Sequence, residues 1–277
     1  MNETDFEGVI ALITRETGII PRESHKAGIR RYVEERLSEL QSFEIVNVAS
    51  FFSQNTDEFS KLIDKATVNE TYFFREEKQL DLIKTEIFPA LLKKNATLNI
   101  WSAACSSGEE IYSLALLARF CSVRADYTAS DINSLMIEKC KNGEYSQNSI
   151  RSVDGAKYHF LLDPYKQTDG TFKMSAELSG SIITKYINLS DLAGQHLPEN
   201  LPKNQHIIFI RNVFIYFSRE TRAKILKTIA TQCLSDDGCL FVSMSEIASI
   251  DSEIIPTELE RVMTKNVFYF RKKTSKK

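Results

Sequence analysis

Glycine and proline are scarce, ten and six in 277 residues, and no low-complexity tract or repeat occurs. A collagen-like or largely disordered chain is excluded, because 43% apolar residues can bury a sizeable core. No apolar run approaches the ~18 residues of a membrane span. The first residues, Met1-Asn2-Glu3-Thr4-Asp5, are acidic where a secretory leader would be basic and then apolar. A cytoplasmic protein with no membrane insertion is expected. Charge of one sign is missing too: 35 Lys+Arg face 37 Asp+Glu, so no global field draws nucleic acid or an anionic membrane, and no nucleic-acid partner is expected. The five cysteines, at 105, 121, 140, 233 and 239, form no C-x-x-C pair. The four histidines, at 25, 159, 196 and 206, have no helix-borne ligand spacing. The expectation is reduced, mostly buried thiols and no metal site.

The first quarter is helical in pattern. From Lys26 to Leu40, Ile29, Tyr32, Val33, Leu37 and Leu40 recur at three and four, while Lys26, Arg30, Arg31 and Arg36 stay off that stripe. Further helical periodicity runs through Val48 to Phe52 and Phe59 to Ile63, so residues 1–70 read as a helical N-terminal domain. From Leu98 strands and helices alternate: LNIWSAA then IYSLALLARF, YTASDI then NSLMIEKCKN closed at Gly143, HIIFI then a helix capped by Ser218, with CLFVSMS and NVFYFRKK as later strands. Such alternation implies a mostly parallel sheet covered on both faces, in a second domain over 71–277. Over about 158–187 the alternation breaks, and the Asp169-Gly170 turn predicts a small antiparallel insertion of two or three strands. The tail RKKTSKK is a solvated terminus or an anion contact.

Chemistry is expected at the carboxyl ends of the parallel strands. The first such loop, AACSSGEE, has small residues that admit a ligand to the backbone. Its single glycine matches neither G-x-G-x-x-G nor a lysine-bearing phosphate loop. Its Glu109-Glu110 pair suits an ammonium or hydroxyl group, or simply favours a helix N-terminus. Asp131 ends the second strand twenty-one residues past Glu110, where an acid accepts hydrogen bonds from ribose hydroxyls in nucleotide-binding half-folds. A nucleoside without phosphates fits both loops, and S-adenosylmethionine is such a ligand.

The segments VNETYFFRE (68–76), WSAACSSGEEIYSLA (101–115), SDIN followed by GEY, INL (187–189), RNVFIYF (211–217) and DGCLFVSMSE (237–246) together resemble the ordered motif series of the CheR family. That family comprises S-adenosylmethionine-dependent chemotaxis receptor methyltransferases. The resemblance covers roughly residues 5 to 271, including ITRETGI and HKAGIRRYVEERL. It implies a Rossmann-like class I methyltransferase sheet with an all-helical N-terminal domain and a small antiparallel β insertion. It further implies S-adenosylmethionine as cofactor, S-adenosylhomocysteine as product, and protein-glutamate O-methylation of receptor side chains.

Residue roles carried by the matching motifs follow. Asn69, Thr71 and Arg75 resemble the segment that crosses the cofactor, its arginine reaching the transfer site. Glu110 resembles the acid at the methionine end and Asp131 the ribose acid. Ala104 lies in the cofactor loop, Asn188 and Leu189 flank the adenine, and Arg211 with Asn212 lies beneath the cofactor. Tyr216 resembles the tyrosine that lines the methyl-accepting pocket with Arg75, the two being the catalytic candidates. Tyr72, Phe73, Phe74 and Phe217 are assigned to packing. Arg30, Arg31 and Arg36 form a solvated face or, as the resemblance implies, meet acidic cytoplasmic helices of methyl-accepting receptors. The insertion resembles a β-subdomain that in some members takes up a receptor C-terminal tail by strand addition. Ile111 and His206 depart from the usual residues, and no dense run of arginines follows Leu40, where QSFEIVNVAS stands instead. A monomer is expected. The alternative to an enzyme is a cofactor-binding adaptor or sensor of the same fold without turnover.

Overall fold

The computed structural model describes residues 1–40 and 47–274. Most of QSFEIVNVAS and the last three residues of the basic tail lie outside the described residues. The chain opens with four helices, α1 (Glu3–Thr17), α2 (Glu23–Glu39), α3 (Val48–Gln54) and α4 (Thr56–Ala66). Their apolar stripes meet in a core of their own, in which Phe6, Val9 and Ile13 of α1 pack with Ile29 and Val33 of α2, Phe52 of α3 and Leu62 of α4. Asn2 and Asn47 cap α1 and α3 by accepting backbone N–H bonds. A helix formed by α5 (Glu77–Leu82), one π turn and α6 (Phe88–Leu92) then leads to the sheet.

The sheet region runs β1 (Leu98–Ala103), α7 (Glu109–Phe120), β2 (Ala125–Asp131), α8 (Ser134–Asn142), β3 (Glu144–Tyr145), β4 (Phe172–Lys173), α9 (Ala176–Gly180), β5 (Ile182–Tyr186), β6 (Gln205–Ile210), α10 (Arg219–Thr228), β7 (Leu234–Phe241), β8 (Leu259–Thr264) and β9 (Val267–Lys272). The seven-stranded sheet has the order β5-β2-β1-β6-β7-β9-β8. The first five strands are parallel, and β9 runs antiparallel to both β7 and β8. Strand order reverses between β1 and its neighbours β2 and β6, which opens a crevice beyond their carboxyl ends.

Each central strand is apolar on both faces. Ile100, Ile207, Phe209, Cys239 and Phe241 enter the core under α5, α6 and α7. Trp101, Ile208, Ile210, Leu240 and Val242 enter the core under α10. Continuous runs such as HIIFI follow from this two-sided burial. Gly143 closes α8 at φ +62, as the sequence predicts.

The insertion departs from expectation at both ends. Ile182–Tyr186, expected inside it, is edge strand β5 of the main sheet, in parallel register with Tyr127–Asp131. The segment Ala156–Tyr165 is a 3-10 helix rather than a strand. The antiparallel piece is β4 on β3, Tyr145 facing Phe172, so its first strand lies upstream of residue 158. Asp169-Gly170 does form a tight turn, with Gly170 at φ +84 and Lys166 bridged to Phe172, but the ladder ends there. The alternation around the turn is too short to carry a longer one. No helix among the described residues is long and apolar enough to cross a membrane.

Candidate functional site

The loop after β1 holds two non-glycine residues in the left-handed region, Ala104 at φ 60 and Ser106 at φ 49. Such backbone survives where its surroundings over-determine it, and it clusters at functional sites. The surroundings here begin with Asp131 at the end of β2. Its Oδ2 accepts the Ser106 N–H at 2.8 Å and its Oδ1 the Asn133 N–H at 2.8 Å. Burial pushes the Asp131 carboxyl up from its ordinary value of 3.8, against the pull of those N–H groups. Asn133, which caps α8, also donates to Thr67 Oγ1 at 2.7 Å, and Ser106 donates to the Asn69 carbonyl at 3.1 Å. The strand-end acid thereby fixes the loop, and the loop is stitched to the segment leaving α4.

The two adjacent glutamates at the start of α7 separate. Glu110 faces the crevice, accepting the Ser102 hydroxyl at 2.7 Å and Arg211 Nε at 2.6 Å. Glu109 turns into the protein and accepts the hydroxyls of Ser107 and Ser149. Arg211 is buried, and its Nη1 also donates to the Arg75 carbonyl at 2.9 Å and to Gln79 Oε1 at 3.1 Å. Burial works against the guanidinium charge, but Glu110 and Glu76 hold its pKa above the ordinary value. One buried cation therefore ties the acid of the β1 loop to the backbone of Arg75.

Arg75 sits between two further strained residues, Phe74 at φ 59 and Glu76 at φ 58. Asp154, from the insertion, holds this stretch: its carboxylate accepts the Tyr72 hydroxyl at 2.8 Å, the Glu76 N–H at 2.7 Å and the Glu77 N–H at 3.1 Å. Gly155 beside it has no room for a Cβ, which would lie 2.7 Å from the Phe74 carbonyl oxygen. Phe73 and Phe74 are buried, as their assignment to packing requires; Phe217 is buried too but lines the cleft, and Tyr72 is half-buried and hydrogen-bonded. Among the described residues the Arg75 guanidinium donates only to the Glu70 carbonyl, at 3.2 Å, and it stacks on the Tyr72 ring at 5.3 Å. It has no carboxylate partner among the described residues.

The opposite wall comes from β5, β6 and the N-terminal domain. Asn188 donates to the Glu16 carbonyl at the end of α1, and the Tyr216 carbonyl accepts the Ile20 N–H at 2.9 Å. Arg22 stacks on the Tyr216 ring at 5.5 Å. Burial raises the Tyr216 pKa above 10.0, so the phenol stays protonated at neutral pH. Glu246, wholly buried, holds the loop after β6 by accepting the Asn212 N–H at 2.6 Å and the Ile215 N–H at 3.3 Å.

These walls enclose a cleft of about 880 Å³, open mouth included. Asn69, Thr71, Arg75, Ala104, Glu110, Asp131, Asn188, Leu189, Arg211, Asn212 and Tyr216 all line it. Sequence reasoning missed Thr17, at the end of α1, and Ile19, in the link to α2, both of which line it. It also missed Gln79, Asp154 and Glu246, which hold the lining residues in place. Glu246 stands inside DGCLFVSMSE, and Thr17 and Ile19 inside ITRETGI, both segments of the family resemblance, whereas Gln79 and Asp154 carry no such signal.

The α2 arginines are not assembled as one exposed face. Arg30 binds Glu3 and lies 4.1 Å over the Phe6 ring, and Arg36 donates to both oxygens of Glu58, each at 2.6 Å, and to Glu39 at 2.8 Å. Arg31 is exposed and has no ion pair among the described residues.

An acid-lined crevice at the switch point of a 5-2-1-6-7-9-8 sheet, with no phosphate-binding loop, suits a nucleoside bearing a cation. It defines an S-adenosylmethionine-dependent methyltransferase of class I fold. The family comparison narrows this. A sequence model described as the CheR methyltransferase SAM-binding domain matches residues 69–261, and the chain belongs to that family, with S-adenosylmethionine as its cofactor. Chemotaxis protein methyltransferase 2 of Vibrio cholerae is 30% identical over 273 residues, covering 90% of this chain and 89% of the relative. The chemotaxis protein methyltransferase of Borreliella burgdorferi is 28% identical over 265 residues, covering 89% of each chain. The Escherichia coli protein of the same name is 27% identical over 253 residues, covering 89% of this chain and 85% of that one. Magnesium protoporphyrin IX methyltransferase from Synechocystis, solved with SAM bound, is 12% identical with a TM-score of 0.36, covering 79% of this chain and 85% of that one, too distant a likeness to bear on function.

Proposed function

We propose that this CheR-type methyltransferase transfers methyl groups to glutamate side chains on the cytoplasmic helices of chemotaxis receptors, forming glutamate methyl esters and S-adenosylhomocysteine. The single observation that carries the reading is Arg75: a guanidinium in the cofactor cleft with no carboxylate of its own among the described residues. A planar fork of donors left in that state suits an incoming carboxylate. An adaptor without turnover has no need of such a group beside a cofactor crevice.

When bound, S-adenosylmethionine would supply an activated methyl group to an oxygen of the target carboxylate, with S-adenosylhomocysteine as the leaving group. Asp131 is the acceptor for ribose hydroxyls, and Glu110 faces the cationic methionine end. Asn188 and Leu189 flank the base, and Asn69, Thr71, Ala104, Arg211 and Asn212 complete the crevice. A glutamate, with a pKa of about 4.3, is already ionised at neutral pH, so no general base is required. Arg75 orients the carboxylate, and Tyr216, kept protonated, offers a donor to the same pocket. Positioning in a water-poor cleft then supplies the catalysis.

The decisive experiment is incubation of the protein with tritiated S-adenosylmethionine and membranes carrying chemotaxis receptors. Base-labile label on the receptor band is expected. Cofactor binding without transfer would instead establish an adaptor, and base-stable label another acceptor chemistry.

A further inference from the structure

Three acids line the cleft, Glu70, Glu110 and Asp131. Two are committed: Asp131 to the backbone N–H groups of Ser106 and Asn133, and Glu110 to the Ser102 hydroxyl and Arg211. Glu70 is not. Its side chain is 66% exposed, and among the described residues its carboxylate meets only Arg151, at 3.4 Å. An exposed pair of that length contributes little, so the side chain is free to leave it. Glu70 also belongs to the segment that crosses the crevice. Asn69 and Thr71 on either side line the cleft, and Arg75 Nη1 donates to the Glu70 carbonyl at 3.2 Å. The side chain of residue 70 therefore starts beside the guanidinium that has no carboxylate of its own. Arg151 and Arg75 stack on the same Tyr72 ring, at 5.4 and 5.3 Å, so the present partner of Glu70 and the uncommitted one are neighbours. The charge of Glu70 is felt across the pocket as well: burial raises the Tyr216 pKa most, and Glu246 and Glu70 add to it.

Resting on the acceptor reading above, we infer that Glu70 is an internal acceptor: turned from Arg151 to Arg75, its carboxylate takes the place of the target glutamate and is itself methylated when no receptor fills the pocket. A Glu70 oxygen bonds the methyl carbon of S-adenosylmethionine, the carbon–sulfur bond breaks with its electrons left on sulfur, and no proton moves. The products are the Glu70 methyl ester and S-adenosylhomocysteine. Until it is esterified, the same side chain competes with a receptor carboxylate for Arg75. The apparent affinity for receptor is then reduced by the fraction of chains in which Glu70 occupies the pocket.

The test uses the full-length protein and tritiated S-adenosylmethionine, with and without receptor membranes. Without receptor, base-labile label should appear on the chain itself, and peptide mass spectrometry should place one added methyl group on Glu70. The rate per chain should not depend on enzyme concentration, because the transfer is internal. Glu70→Gln should lose the self-label, and Glu70→Asp, which keeps the charge but is one methylene shorter, should lose about nine-tenths of it. Both variants should melt with the wild type, since the residue is exposed. In sedimentation with receptor membranes and S-adenosylhomocysteine, where no transfer occurs, both should bind receptor about twofold more tightly than the wild type. Receptor label without self-label, self-label retained in Glu70→Gln, a rate per chain that rises with enzyme concentration, or unchanged sedimentation of both variants overturns the inference and leaves the acceptor reading standing. Self-label without receptor label keeps the inference and removes the receptor as acceptor. Label on neither overturns both.

Discussion

The arginines of α2 and those of the cleft mouth differ in what they already hold. Arg36 is clamped by both oxygens of Glu58, and Arg30 by Glu3 and the Phe6 face, so these charges join helices of the N-terminal domain to one another. Arg75 and Arg22 rest on tyrosine rings and have no acid among the described residues. Arg211 belongs with the committed ones although it lines the cleft: it is buried and binds Glu110, Gln79 and the Arg75 carbonyl. A basic stripe in the sequence therefore does not tell which of its cations the fold has already neutralised.

The largest effect should come from breaking the committed pair. Arg211→Ala leaves the Glu110 carboxylate and Gln79 amide in a buried site without their partner, and a loss of about 3–5 kcal/mol in unfolding free energy is expected. Urea titration would measure it. A loss under about 1 kcal/mol would show the pair to be solvated. Arg75→Ala should behave in the opposite sense, with stability nearly intact because one carbonyl bond is lost, and kcat down by about a hundredfold or more. Arg75→Lys should recover little, since a point charge does not reproduce the planar fork. Near-wild-type turnover in the lysine variant at saturating cofactor would reduce Arg75 to an electrostatic role.

Asp131 comes next. Losing its hydrogen bonds to a ribose diol should weaken S-adenosylmethionine about tenfold in Asp131→Asn, or about 1.4 kcal/mol. Its pKa is raised by burial above 3.8, so the charged form required for binding is lost, as pH falls, at a higher pH than an ordinary aspartate would give. Stability of the ligand-free protein should move the other way. The folded state holds this proton more tightly than the unfolded one, so the group favours folding at low pH and loses that contribution as pH rises through its raised value. Calorimetry and thermal melts at pH values above the ordinary 3.8 should therefore show contributions of opposite sign from this group, each smaller in Asp131→Asn than in the wild type.

Most of the cleft was legible because its residues lie in contiguous motifs at strand ends. The apolar runs LNIWSAA and HIIFI fixed the strands, and topology alone then brought Glu110, Asp131 and Arg211 together. The supporting shell was illegible because its contacts span long separations. Asp154 holds Glu76 across 78 residues, and Gln79 reaches the Val242 carbonyl across 163. Nothing local marks either as more than a polar residue. The insertion was misplaced for a related reason: β5 is a short edge strand with Ile183 and Tyr186 exposed, so its pattern resembles a hairpin arm as much as a sheet strand. Pairing, rather than composition, decides between them. The same holds for Arg30 and Arg36, whose partners lie 27 and 22 residues away.

The smallest effects should separate the α2 arginines from one another. Arg36 holds the Glu58 carboxyl down at about 2, against an ordinary 4.5, through charge-assisted hydrogen bonds. A carboxylate lowered in this way stabilises the fold above its unfolded value, and the contribution is lost as pH falls from about 4.5 through about 2. The pair is largely solvated, so Arg36→Ala should lower stability only slightly, and the variant should show a weaker acid-unfolding slope in that window. Its KM for receptor should not change, because the charge it removes is already met within the domain. Arg31→Glu is the opposite case: exposed and unpaired among the described residues, it should leave the melting temperature alone and raise the receptor KM by no more than about threefold, with the effect disappearing at high salt. If Arg36→Ala raised the receptor KM without lowering stability, a guanidinium already bound by two acids would still be reading the partner. The distinction between committed and free arginines would then fail.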